Sequence, residues 1–224
     1  MNKQSEAGAA TERRIVLWRH GRTAWNAERR FQGQSDIPLD SAGISQAERA
    51  AGMLVHLAPH RIVSSDLSRA HATAQALARV ANLEVSTDPR LRETNAGEWE
   101  GLQRTELLDR FGAQVAQWAS DSYARPGGGE TRVEVAERMV AAITEYLVDL
   151  PSGATLVVTT HGGSARAAIG QLLELPPPTW GCLGVLSNCA WSILTENSTG
   201  HGPLWRLQEY NAGSLPTPAL ADDR

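Results

Sequence analysis

Two histidines each stand at the end of an apolar run. One closes Ile15-Val16-Leu17-Trp18-Arg19-His20-Gly21, the other follows Ala154 to Thr160 as His161-Gly162-Gly163. Runs of this length and character read as strands buried on both faces, as in a parallel sheet. The carboxyl ends of parallel strands share one edge, where open α/β sheets bind ligands. His20 and His161 are therefore expected to face one another. A neutral imidazole at such a place can act as nucleophile or proton carrier. Arg19 adds an always-charged donor beside it. Two more blocks bring matching chemistry. Ser64-Ser65-Asp66-Leu67-Ser68-Arg69-Ala70 puts Arg69 in the first turn of a helix after a strand. Leu91-Arg92-Glu93-Thr94-Asn95-Ala96-Gly97-Glu98-Trp99-Glu100-Gly101 puts Glu93 in a loop. Arginines at this edge, with the N–H groups of the following helix aimed at the same point, favour an anion. A carboxylate nearby can donate and accept a proton.

The elements that must place these groups can be read in chain order. Arg14 to Arg19 is the opening strand, and Thr23 caps a short helix. Phe31 to Asp40, with Gly33 and Pro38, is a loop over the mouth of the site. Asp40 or Ser41 caps a helix to about Leu57, with Ile44, Ala47, Ala51, Leu54 and Val55 on its inner face. Arg61 to Ser64 is a second strand, and Asp66 starts a helix carrying Leu67, Ala70, Ala74, Leu77 and Ala78 inward. Glu84 to Ser86 is a further short strand. From Pro89 to Pro126 the pattern is irregular, with a helix over Arg104 to Phe111 and Trp99 and Trp118 pinning the segment to the body. Thr131 and Glu134 form a capping box for a helix to about Leu150. The helix after His161 runs through Leu175 to the stop at Pro176-Pro177-Pro178. Ala190 to Leu194 and Leu204 to Tyr210 are the last two strands. Strands alternating with helices predict an α/β fold: a three-layer sandwich with a mostly parallel central sheet flanked by helices. Residues 14–211 form a single domain in this reading, after a disordered leader over 1–13 and before a flexible tail over 212–224.

Composition sets the class. With 224 residues, 42% hydrophobic, 21% charged and a net charge of −4, the chain reads as globular, with no basic signature for nucleic acid. No run suits a membrane span or a signal peptide. Cys182 and Cys189 are the two cysteines, and no Cys-His group has zinc spacing. A cytoplasmic protein without cofactor or bound metal is expected.

The blocks above occur in the order found in the histidine phosphatase superfamily, the phosphoglycerate-mutase-like proteins. The chain resembles that family over Arg14 to Asn211, nearly its whole length. The resemblance implies that His20 is the nucleophile that becomes phosphohistidine, and that Arg19, Arg69 and His161 hold the phosphoryl oxygens. It implies that Glu93 is the acid/base, ahead of its neighbours Glu98 and Glu100, and that Asn26, Gln32, Gly33 and Gly162 line the pocket. Arg22 departs from the pattern, since the family usually carries Glu or Gln there; it is expected to meet a second anionic group, such as a carboxylate. His56, His60, His71 and His201 lack a strand-end setting and are given no catalytic part. Trp25, Trp180, Trp191 and Trp205 are assigned to packing.

The resemblance implies a metal-independent phosphomonoesterase acting on a small phosphorylated metabolite, with a homodimer possible. Gly128 to Ala136 and Gly184 to Trp191 are most similar to actinobacterial members that act on glucosyl-3-phosphoglycerate. The alternatives are a broad-specificity phosphatase, a cofactor-dependent phosphoglycerate mutase and a catalytically inactive binding module. The segment from Arg92 to Pro126 is shorter than the corresponding insertion of the mutases, and the core residues are all present.

Overall fold

The computed structural model describes residues 12–198 and 201–213. Six strands form one sheet among them: β1 (Arg14–Arg19), β2 (Arg61–Ser64), β3 (Val85–Thr87), β4 (Thr155–Thr160), β5 (Trp191–Glu196) and β6 (Trp205–Ala212). Their order is β3-β2-β4-β1-β5-β6. The pairings β3-β2, β2-β4 and β4-β1 are parallel, whereas β1-β5 and β5-β6 are antiparallel. Only β5 thus runs against the rest, so the sheet is mostly parallel, as expected.

Alternation along the strands builds the layers. Ile15 and Leu17 of β1, with Leu156 and Val158 of β4, pack on one face against α5 (Arg132–Leu147) and α6 (Gly162–Leu172). Val16, Trp18 and Val157 pack on the other against α2 (Ser41–Leu54) and α3 (Ser68–Ala81). Both faces are covered, which is why the two strands read as unbroken apolar runs. The result is the expected three-layer sandwich.

Several boundaries shift for identifiable reasons. Helix α2 is capped by Asp40, whose Oδ1 accepts from Gly43 N, and its last turn tightens into a 3₁₀ turn over Val55–Leu57. Ile44, expected inward, is 49% exposed. Helix α3 begins at Ser68, not Asp66. Asp66 is instead bonded to Arg92, and the α3 N-terminus takes its acceptor from the loop, where Asp36 Oδ1 accepts from Ser68 N and Oγ at 2.8 and 2.7 Å. Helix α4 (Arg104–Ser120) outruns the expected Phe111, where its angles break (φ −132°, ψ 22°) before helix resumes. Helices α5 and α6 each end three residues early, at Leu147 and Leu172.

Trp99 and Trp118 do not reach the main core. They cluster with Phe31, Ala96, Leu107 and Ala124, the two indoles meeting edge to face at 5.8 Å. They fasten the segment to the loop that opens with Phe31. Helix α1 (Ala24–Glu28) follows the capping box at Thr23. At the ends, Arg13 is paired with Glu196 and Glu12 with Arg206, while β6 takes in Ala212. The remaining residues of the expected leader and tail lie outside those described. No helix among the described residues is long and apolar enough to cross a membrane.

Candidate active site

Register places the two histidines. Arg19 is opposite Thr160 in the parallel β1-β4 pair, so the next residues, His20 and His161, leave the sheet side by side. Their rings meet edge to face with centroids 5.1 Å apart, and both are buried. The backbone after His20 turns tightly against the start of α2. A Cβ on Gly21 would lie 2.4 Å from the Gly43 carbonyl oxygen, so only glycine fits.

The rings are held differently. His20 Nδ1 lies 2.7 Å from the carbonyl oxygen of Gly21, which makes Nδ1 the protonated nitrogen and leaves the lone pair on Nε2. His161 Nδ1 accepts from Arg69 Nε–H at 3.2 Å, which puts its proton on Nε2, 2.9 Å from Ser65 Oγ. Burial, then Arg69, then Arg19, hold the His20 ring's pKa well below the ordinary 6.5. Burial, Arg69, His20 and Arg19 do the same to His161. Desolvation and neighbouring cations both disfavour a charged imidazole, so both rings are neutral near pH 7.

The arginines come from opposite sides. Arg19, at the end of β1, donates through Nη1 to Leu186 O at 2.6 Å. Arg69, in the first turn of α3, donates through Nη1 to Ser35 O and through Nη2 to Gly33 O, at 2.7 and 2.8 Å. Both side chains are almost wholly buried. Two buried guanidiniums around two neutral imidazoles form a positive cluster suited to an anion.

Glu93 reaches the same edge from the irregular segment. Its Oε2 accepts from Gly163 N, and its Oε1 from Ser164 N and Thr94 N, each at 2.9 Å. The carboxylate therefore sits on the N-terminus of α6, a favourable place for negative charge. A Cβ on Gly163 would come within 2.8 Å of Glu93 Oε1, so glycine there lets the carboxylate approach.

Asn26, Gln32, Gly33 and Gly162 connect to this group by different routes. Asn26 Oδ1 accepts from Thr23 N at 3.1 Å and from Asn188 Nδ2 at 3.2 Å. Gln32 Oε1 accepts from the Thr23 hydroxyl at 2.9 Å. Gly33 adopts φ +53°, and its carbonyl meets Arg69. Gly162 is the buried first residue of α6. Arg22 stands apart: its Nε–H is 2.8 Å from Asp40 Oδ2, and no hydrogen bond joins it to the histidines or to Glu93. The neighbouring carboxylates divide clearly. Glu98 is exposed. Glu100 staples the mouth loop, accepting from Gln34 N at 2.9 Å and Ser35 Oγ at 2.7 Å.

Three residues at the site escape a reading of local motifs. Ser65 holds His161. Asn188 Nδ2 donates to the His20 carbonyl at 3.2 Å as well as to Asn26. Arg138 donates to the Glu93 carbonyl at 2.9 Å. Ser65 and Asn188 fall in blocks singled out above, but nothing local gave either a partner. Among the described residues, no group of three or more His, Cys, Asp or Glu side chains converges to hold a metal ion.

Comparison with known proteins gives the family. The model of the histidine phosphatase superfamily (branch 1) matches residues 15–212. Glucosyl-3-phosphoglycerate phosphatase of Mycobacterium tuberculosis is 39% identical over 214 residues, covering 90% of this chain and 96% of that protein. A probable phosphoglycerate mutase of Escherichia fergusonii is 38% identical over 165 residues, covering 72% of this chain and 75% of its own. A solved structure of mycobacterial glucosyl-3-phosphoglycerate phosphatase in complex with VO3 superposes with a TM-score of 0.83 at 40% identity, covering 90% of this chain and 100% of that one. On its sequence, its sheet and the length of the match, this chain belongs to the histidine phosphatase superfamily.

Proposed function

We propose that the chain is a phosphomonoesterase that works through a phosphohistidine at His20. One observation carries the assignment: His20 is buried, neutral and bonded through Nδ1 to Gly21, which leaves the Nε2 lone pair for attack. In the first step Nε2 bonds to phosphorus and the ester P–O bond breaks. Glu93 enters this step protonated, gives its proton to the departing alkoxide and becomes the carboxylate that the α6 N–H groups hold. The Gly21 carbonyl receives the Nδ1–H of a ring that has become cationic. In the second step Glu93 takes a proton from water, the water oxygen bonds to phosphorus, and the N–P bond breaks. Inorganic phosphate leaves and His20 is again neutral. Arg19 and Arg69 hold the phosphoryl oxygens, most strongly as charge spreads over them. His161 adds Nε2–H, a donor that a phosphoryl oxygen can share with Ser65 Oγ. Asn26, Gln32, Gly33 and Gly162 shape the pocket wall.

The substrate is a small phosphorylated metabolite, and the relatives favour glucosyl-3-phosphoglycerate. Arg22 was expected to meet the glycerate carboxylate. Asp40 holds its Nε–H, which leaves the terminal guanidinium nitrogens for that contact, and the substrate assignment rests chiefly on the relatives. The test is kcat/KM for glucosyl-3-phosphoglycerate against 3-phosphoglycerate, phosphoserine and an aryl phosphate, read as inorganic phosphate released. Glucosyl-3-phosphoglycerate should lead. Another ester ahead by tenfold, about 1.4 kcal/mol in the barrier, would overturn the assignment. Phosphoryl return to a second phosphoglycerate, with no phosphate released, would make the chain a mutase. Cys182 and Cys189 are free thiols, which supports a reducing, cytoplasmic location. The homodimer that the family likeness implies is read by light scattering.

A further inference from the structure

The segment that carries Glu93 has little secondary structure of its own, yet an acid/base must be held to within a fraction of an ångström. Arg138, on α5, supplies the support. Its Nε and Nη2 donate to Glu130 Oε1 and Oε2 at 2.8 and 2.9 Å. Nη1 donates to Arg90 O and Arg92 O at 2.6 and 2.7 Å, and Nη2 donates also to Glu93 O at 2.9 Å. All five N–H groups of the guanidinium are thereby used. Glu130 completes the grip from the far side: its Oε2 accepts from Asn95 N at 2.8 Å, while its own N–H donates to Asn95 O at 2.9 Å. The backbone is thus fixed on both sides of Glu93, at residues 90, 92, 93 and 95.

A second thread ties this grip to the phosphate side. Gln34 Nε2 donates to Glu93 O at 3.1 Å and lies 3.4 Å from Glu130 Oε2. Gln34 sits between Gly33 and Ser35, whose carbonyls hold Arg69. The pair is partly shielded, with Arg138 18% and Glu130 26% exposed in their side chains. Lysine could keep the charge there but not the planar five-donor fork.

We infer that Arg138 and Glu130 are a positioning pair for Glu93, setting the carboxylate at the distance where it can protonate the leaving group. This rests on the reading of Glu93 as acid/base. The pair bonds directly to the backbone around Glu93 and reaches the Arg69 side only through Gln34 and His161 only through its field, so its effect passes chiefly through Glu93. Proton donation matters most for a poor leaving group and least for a nitrophenolate.

The experiment compares kcat/KM for 3-phosphoglycerate, an alkyl ester, with kcat/KM for 4-nitrophenyl phosphate. Arg138→Lys should lose about tenfold on the alkyl ester and under about threefold on the aryl ester. Glu130→Gln should show the same pattern more weakly, and it serves if Arg138→Lys proves unfolded by its melting temperature. In a Glu93→Gln background, Arg138→Lys should cost under about twofold on either ester, because residues acting as a unit are not additive. Equal losses on both esters, or the full tenfold loss in the Glu93→Gln background, would overturn the pairing. Glu93→Gln alone judges the underlying reading. If it shows no leaving-group dependence, the acid/base assignment fails whatever Arg138 does.

Discussion

His20 and His161 close neighbouring parallel strands, are equally buried and lie 5.1 Å apart. Their hydrogen bonds nevertheless differ in kind. His20 is oriented by the carbonyl of the very next residue, and its Nε2 makes no hydrogen bond among the described residues. His161 is held at both nitrogens, by residues 92 and 96 positions away in the chain. The end of β1 is thus arranged to leave a nitrogen available, and the end of β4 to hold one still. The difference teaches that residue type and strand-end setting do not fix a role. The reach of the second nitrogen does.

Substitutions at the two ends should separate these roles in graded steps. His20→Ala should lose on the order of 10⁵-fold in kcat, since the nucleophile is gone. His161→Ala should lose about 10² to 10³-fold, the cost of one donor to the transferring group. Ser65→Ala, which removes the partner of the His161 Nε2–H but leaves the tautomer set by Arg69 and removes no donor to the substrate, should lose about tenfold or less. Steady-state kcat on one ester measures all three. Comparable losses at His20 and His161 would erase the distinction between the strand ends.

Acid pH offers a smaller effect on which the two ends should agree. Both rings have a folded-state pKa depressed below 6.5, chiefly by burial and then by Arg69. Imidazole NMR of the free enzyme should find both neutral at pH 6, and either ring titrating at or above about 6.5 would contradict the geometry. The sign for stability follows. Below about pH 6.5 the unfolded chain binds protons that the folded rings refuse. Stability is therefore lost as pH falls through that value, by up to about 1.4 kcal/mol per ring per pH unit. The loss should shrink in His161→Ala if that variant folds.

Sequence made some of this legible and not the rest, along the same divide. The strands β1 and β4 carry unbroken apolar stretches, Ile15 to Trp18 and Leu156 to Val158, because both faces are covered, and that signal is local. Thr23 and Thr131 cap helices through residues three positions on, which is also local. What stayed hidden depends on residues far apart in the chain. Asp66 resembles a helix cap, but Arg92 captures it and Asp36 takes over the cap. Ile44 fits the inner-face period of α2, yet it lies at the rim of an open groove between α2 and α3 rather than in the core. Arg22 gives no local sign that Asp40, eighteen positions on, holds its Nε–H. The bond of Arg138 to the Glu93 carbonyl spans 45 positions. No period or motif announces such a pair.

The account stands most directly on the covalent intermediate. Wild-type enzyme mixed with a ³²P-labelled phosphomonoester, quenched under alkaline conditions and mapped by peptide, should carry label on His20. His161→Ala should still carry it, more slowly formed, and His20→Ala should carry none. Label on His161, on a serine or on an aspartate would contradict the assignment of the two strand ends.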